Sequence, residues 1–285
     1  MGWGYRIPSL FNKCIIGGPM EEKKKEKKKI DVVSMIIMLV AVVMFLFSGY
    51  KLWGIFSEYQ KGSSEYNALQ QDMVQQIILE LPEGLKEEDA YKLFKVDFES
   101  LTAINSDVIG WIRFDHPEEI NYPVVAGVDN AKYLNRTFEG KYNSAGSLFT
   151  DMNNSRLFTD RNTFIYGHNM KNGSMFSKLR EYKSKEFCEE NPYFYIYTPD
   201  GMVSKYEIFA TCIVKDTSET YTKWYNNDAE FLEYVNYVRR VALYQTDVEV
   251  EATDKMVSLS TCTNVRDDER LVVHAVKVSE ELIGE

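Results

Sequence analysis

Residues 258–276 read SLSTC, then TNVRDDE, then RLVVHAV. The outer blocks have the β-branched and apolar character of strands, and the largely polar seven-residue segment between them makes a loop. Cys262 ends the first strand and Arg270 opens the second. A strand end beside a loop is where exposed reactive groups tend to sit. A thiol of ordinary pKa, about 8.5, is only a few per cent thiolate at neutral pH, so catalysis there needs a histidine and a cation close by. On spacing alone, a small buried residue is the competing reading of Cys262.

Working upstream, short runs rich in β-branched and aromatic residues predict strands near 108–114, 123–125, 147–151, 163–166, 193–197, 203–214, 256–261 and 271–278. Between 214 and 256 lies a long connection whose DAEFLEYVNYVRRVALY is helical in pattern. Before the strands, Phe94, Phe98, Leu101 and Ile104 predict a short helix. Tyr66, Leu69, Met73 and Ile77 predict an amphipathic one stopped at Leu81 and Pro82. The expected architecture is one mainly β domain with peripheral helices, large enough to bury a single core.

Residues 32–50 carry no charge across VVSMIIMLVAVVMFLFSGY, and KKKEKKK precedes them at 23–29. About twenty helical residues span a hydrocarbon core of roughly 30 Å. Tyr50 and Trp53 sit where interfacial aromatics belong, and the lysines predict a cytoplasmic N-terminus. The run is long for a cleaved signal peptide, and no A-x-A-like site follows. The expected division is a cytoplasmic segment 1–29, a signal anchor 30–53, an extracellular helical stalk 54–95 and a catalytic domain 96–285. Met20, just ahead of the lysines, is a more natural start than Met1, so residues 1–19 read as an added or misassigned extension.

Net charge divides along the same line. The chain of 285 residues has 33 Lys+Arg against 43 Asp+Glu. Residues 1–50 carry a net +4 and the remainder −14. An acidic outer region argues against nucleic acid as a partner, whose binding rests on phosphate neutralisation. The sequence has no G-x-x-x-x-G-K-[ST], no G-x-G-x-x-G after a strand, no H-E-x-x-H and no C-x-x-C. No cofactor or metal is expected. Cys188 and Cys212 read as structural residues, with a disulfide between them left open. His168 lies in a Gly/Asn-rich turn after a strand, in NTFIYGHNMKNGSMF (162–176).

That segment, together with Leu259-Ser260-Thr261-Cys262 and Arg270-Leu271-Val272-Val273-His274, resembles the sortases, and class B in particular. DVIGWI, YPVVAGVDNAKYL and GSLFTD extend the resemblance over roughly residues 105–278. Ser258 departs from it, standing where Thr is common. The resemblance implies a closed eight-stranded β-barrel and a membrane-anchored cysteine transpeptidase of Gram-positive bacteria. It implies Cys262 as nucleophile, His168 as general acid/base and Arg270 as substrate and oxyanion stabiliser. Asn130, Tyr166, Ser260 and Thr261 match groove-lining positions. The implied partners are proteins with an LPxTG-like sorting signal (for class B, NPxTN- or xPxTG-like) and an amine on a peptidoglycan precursor. The implied location is the cell membrane, single-pass type II. A hydrolytic cysteine protease and a silent wall-binding module are the competing classes.

The same residues predict which neighbours are bystanders. If 258–262 and 270–276 pair antiparallel, Cys262 and Arg270 face each other across one mouth of the hairpin. His274 then lies about 13 Å from Arg270 at about 3.3 Å per residue, too far for proton transfer at the thiol. Arg266 falls mid-loop among acids, and His116 sits in a polar turn.

Overall fold

The computed structural model describes residues 31–76 and 87–283. It divides into two units, Met1–Lys51 and Leu52–Glu285. The uncharged stretch is helical and belongs to α1, Val32–Met73. It is long and apolar enough to cross a membrane, with a mean hydropathy of 2.7 over 18 residues, none of them covered by protein. The lysine run and the whole 1–30 segment lie outside the described residues.

In the second unit the chain continues through β1 (Val74–Gln76), β2 (Phe94–Val96), α2 (Phe98–Ile104), β3 (Val108–Phe114), β4 (Asn121–Val125), β5 (Leu148–Thr150) and β6 (Asn162–Tyr166). Then come α3 (Lys185–Glu190), β7 (Tyr193–Tyr197), β8 (Met202–Lys215), α4 (Asp228–Val241), β9 (Met256–Cys262) and β10 (Glu269–Leu282). Strands β3 to β10 close into a barrel in the order β10-β8-β7-β3-β4-β5-β6-β9. Each of the eight strands expected from the sequence overlaps one of these. Two joins are parallel, β4 to β5 and β6 to β9, and the second matters for the site.

Burial on successive residues of β3, from Val108 through Ile112, follows from covering on both faces of the sheet. One core fills the barrel, and a second lies between β8 and α4. Helix α4 contributes Phe231, Tyr234, Val235 and Val238 at the i, i+3, i+4, i+7 spacing of one helix face. Asn227 caps it by accepting from the Glu230 N–H, while Asp228 and Glu230 at its start and Arg239 and Arg240 at its end complement the helix dipole.

Two expectations before the barrel need correction. Helix α1 stops at Met73, not near Leu81, because Val74–Gln76 pair antiparallel with Phe94–Val96 and take Phe94 out of the second helix. Residues 77–86 are outside the described set. The described part of the 54–95 segment also packs against the rest of its unit. Gly62, Glu65, Tyr66 and Leu69 are buried. Tyr66 donates to the Gly146 carbonyl, the Glu58 carboxylate accepts from the Ser144 N–H at 2.7 Å, and Glu65 accepts from the Glu139 N–H at 3.0 Å. The apolar stripe at Tyr66 and Leu69 supplies the burial, and the 139–147 loop supplies donors for the acids.

Candidate active site

Strands β9 and β10 pair as the hairpin reading requires. Arg270 stands opposite Cys262, Val272 opposite Ser260 and His274 opposite Ser258. On the other side of β9, β6 runs parallel, with Tyr166 in register with Ser260 and the Gly167 N–H bonded to the Ser260 carbonyl at 3.1 Å. The next residue, His168, is therefore delivered beside the end of β9 that carries Cys262. Gly167 is needed for this passage. A Cβ there would lie 2.3 Å from Leu148 Cδ2 and 2.7 Å from Phe176 Cδ2, closer than side chains tolerate.

Asn169 closes the junction. Its side-chain amide donates to the Cys262 carbonyl at 2.7 Å, and Asn264 donates back to the Asn169 carbonyl at 2.8 Å. Asn264 holds a left-handed φ of 60°, which asparagine tolerates better than most residues. The histidine loop and the cysteine loop are thus tied by reciprocal bonds.

All seven residues singled out in the sequence line one cleft of about 240 Å³: Cys262, His168, Arg270, Asn130, Tyr166, Ser260 and Thr261. Cys262 and His168 are half-buried. His168 Nε2 donates to the Leu134 carbonyl at 2.7 Å; because a carbonyl only accepts, that nitrogen carries a hydrogen. The Arg270 guanidinium is held by the Asp267 carbonyl at 2.6 Å, the Glu269 carbonyl at 3.1 Å and the Asp216 carboxylate at 3.3 Å. Ser260 shares a hydrogen bond of 2.8 Å with the Tyr221 hydroxyl, whose pKa burial pushes up to about 12. Thr261 lines the cleft, but its hydroxyl is buried without a hydrogen-bond partner.

Asn130 and Tyr166 both donate to Asp151, each at 3.0 Å. The Lys223 ammonium and the amide groups of Asn153 complete its shell. Burial alone would raise the Asp151 carboxyl, but these donors, Lys223 foremost, hold it below the ordinary carboxylate range. The same burial, reinforced by the adjacent Asp151 charge, pushes the Tyr166 phenol up and keeps it protonated.

The bystanders separate cleanly. His274 is fully buried, with Nδ1 bonded to Ser258 Oγ at 2.7 Å, and burial drives its pKa down to about 3. Ser258 Oγ also donates to Asn162 Oδ1 at 2.7 Å, so the residue that departs from the family pattern sits in a buried polar network. Arg266 is exposed and pairs with Asp268, and His116 is exposed. Among the described residues the three cysteines are free thiols, which resolves the open question of a Cys188–Cys212 disulfide. Asp216, Asn169, Tyr221, Lys223 and Asp151 were not singled out from the sequence. Only Asn169 and Asp151 fall inside the quoted blocks, GHNM and GSLFTD, and nothing local marks their partners.

A sortase domain family model matches residues 116–278. Sortase B of Listeria monocytogenes is 33% identical over 176 residues, covering 61% of this chain and 70% of its own. Sortase B of Staphylococcus aureus is 30% identical over 250 residues, covering 86% and 97%. The crystal structure of sortase B from Bacillus anthracis in complex with AAEK1 superposes with a TM-score of 0.66 at 31% identity, over 79% of this chain and 100% of that one. With the closed barrel already in view, the chain belongs to the sortase family, cysteine transpeptidases of the cell surface. Within the family it is a class B sortase.

Proposed function

We propose that the protein cleaves a sorting-signal pentapeptide after its threonine and transfers the acyl part to an amine of a cell-wall precursor. The observation that carries this is the cleft itself, where Cys262 faces Arg270 across the hairpin and β6 brings His168 to the same strand end. The Cys262 thiolate adds to the threonine carbonyl. Arg270, fixed by Asp216 and two carbonyls, donates to the oxygen as negative charge develops. The carbon–nitrogen bond breaks, the leaving amine takes a proton from His168, and a thioester remains on Cys262. The acceptor amine then adds to the thioester, gives its proton to His168, and expels the thiolate. Sulfur, proton and acyl group return to their starting balance, and no other co-reactant is consumed. The substrate is NPxTN- or xPxTG-like, as class B membership suggests.

The test incubates the full-length protein in detergent with Asn-Pro-Ala-Thr-Asn or Leu-Pro-Ala-Thr-Gly peptides and a peptide bearing a free α-amine. Mass spectrometry is expected to find the acyl group on Cys262 and then on the amine. Cys262→Ala abolishes both adducts, whereas Cys188→Ala and Cys212→Ala keep most turnover. Release of free acid only, with amine present, overturns transfer in favour of hydrolysis, and an adduct on another cysteine overturns the nucleophile.

The same reading includes the division into segments 1–29, 30–53, 54–95 and 96–285 and a type II orientation. It is supported by the lysines at 23–29 and the uncharged helix. Protease added to wall-stripped intact cells digests the portion beyond Trp53; protection of that portion would reverse the topology.

A further inference from the structure

Asp151 is the only carboxylate among the described residues that meets two groove-lining side chains, and it touches neither Cys262 nor His168 in the hydrogen-bond pattern. Its side chain is wholly buried. Its Oδ2 accepts from Asn130 Nδ2 at 3.0 Å, from the Tyr166 hydroxyl at 3.0 Å and from Lys223 Nζ. Its Oδ1 accepts from Asn153 N and Nδ2 at 3.0 and 2.9 Å. An ionised carboxylate only accepts, so each of these partners must present a hydrogen to it.

That requirement determines what Asn130 and Tyr166 have left for a ligand. The Asn130 amide cannot flip, because Nδ2 meets the carboxylate while Oδ1 accepts from the Met152 N–H at 2.7 Å. It keeps one free N–H donor. Tyr166 has spent its only hydrogen on Asp151 and keeps its oxygen lone pairs. Both residues line the cleft. The wall therefore offers one donor and one acceptor, the complement of a peptide carbonyl and a peptide N–H. Lys223 extends the same control to the chain after β8. It lies two residues beyond Tyr221, whose hydroxyl bonds Ser260, the register partner of Tyr166 on β9.

We propose that Asp151, with Lys223 as its counter-ion, is the positioning residue that sets the hydrogen-bonding polarity of the peptide groove. The inference rests on the cleft being the peptide site, as argued above. Asp151 acts on binding through Asn130 and Tyr166 and leaves the reactivity of the thiol to other groups. An asparagine at 151 would have one acceptor oxygen where the carboxylate has two. Its NH2 would oppose either the Asn130, Tyr166 and Lys223 donors or the two Asn153 donors, and the shell that fixes Asn130 and Tyr166 would lose half its acceptors.

The experiment uses the full-length protein in detergent and whichever of the two pentapeptides above is cleaved better. It measures KM, kcat and the rate of Cys262 carboxymethylation by iodoacetamide, with melting followed by circular dichroism. Asp151→Asn is expected to raise KM about tenfold, the size of one or two lost hydrogen bonds, with kcat and the carboxymethylation rate near wild type. Asp151→Asn/Lys223→Gln removes both charges together, so no lone buried charge is left to unfold the protein. It is expected to show the same raised KM. Tyr166→Phe raises KM in the wild-type background and adds little in the double variant, because the hydroxyl and the carboxylate act as one unit.

A wild-type KM in the folded double variant overturns the proposal. So does a fall in kcat and carboxymethylation rate with KM unchanged, which is the signature of a residue that merely supports the fold near the thiol. Full additivity of Tyr166→Phe with the double variant also overturns it. Failure of the wild-type protein to form a thioester on Cys262 with either peptide overturns instead the functional reading on which the proposal rests, so the two failures are distinguishable.

Discussion

The two ends of the β9–β10 hairpin carry the same kinds of residue and put them to different use. At the open end, Cys262 and Arg270 are half-buried, paired across the hairpin and next to the loop that brings His168. Four residues along, Ser258 and His274 form an equivalent cross-strand pair, yet both are fully buried. There the imidazole is held neutral by burial, with one nitrogen on Ser258 and the other without a partner. Depth and distance along the strand together make His168, beside the strand end, a candidate for proton transfer and His274 a packing residue. The barrel mouth grants water and ligand access to one end, and α4 seals the other beneath Phe209 and Tyr234.

The contrast is broken most directly by exchanging the roles of the histidines. His168→Ala is expected to lose turnover by two to four orders of magnitude, about the range that general acid–base catalysis supplies. His274→Asn, which retains a polar group for Ser258, should keep its turnover once folded. Steady-state cleavage of the better pentapeptide, with circular dichroism on each variant, measures both. Loss of turnover in folded His274→Asn with His168→Ala active would reverse the comparison.

Arginines sharpen it next. Arg270→Ala is expected to lose about 10²–10³ in rate, the usual cost of removing one donor to a developing oxyanion. Arg270→Lys recovers only part, because the planar fork that meets Asp216 and the Asp267 carbonyl is gone. Arg266→Ala, which loses only an exposed contact to Asp268, stays within a few-fold of wild type. Parallel kinetics on the three variants decide the order, and the reverse ranking would dissociate the guanidinium opposite Cys262 from the chemistry.

The smallest effect is on stability. His274 has its folded pKa driven from the ordinary 6.5 to about 3. Below pH 6.5 the unfolded chain binds a proton that the fold excludes, so stability falls as pH drops from 6.5 towards 3. The slope from this one group is about 1.4 kcal/mol per pH unit. Chemical denaturation of wild type and His274→Asn between pH 7 and 4 is expected to show a shallower decline in the variant. Equal slopes would mean that the buried imidazole is protonated in the fold.

Much of this contrast was legible in the amino-acid order, because strand alternation and loop polarity are local. The pairing of Cys262 with Arg270, the buried place of His274 and the exposed place of Arg266 followed from one hairpin register. The eight strands were legible for the same reason, since aromatic and β-branched runs such as YFYIY and VIGWIRF mark themselves. What was not legible depends on partners far along the chain. Lys223 meets Asp151 across 72 residues, and Arg270 meets Asp216 across 54. Neither acid differs in local pattern from the solvated acids around it. The expected helix stop near Leu81 failed for a related reason: Val74–Gln76 extend only because β2 is there to pair with them.

The parallel join between β6 and β9 bears on when the protein becomes reactive. Asn169 and Cys262 are linked across 93 residues, and such distant pairings carry the largest loop-closure cost and form late in folding. The β9–β10 hairpin can form early, because it is local, and it brings Arg270 to the thiol at once. His168 joins only when β6 is zipped along β9. In this order of pairing, Cys262 meets Arg270 before it meets His168, the acid–base partner proposed for it. On the function proposed above, barrel closure is the arming step, because it completes the cleft that holds Cys262, Arg270 and His168 together.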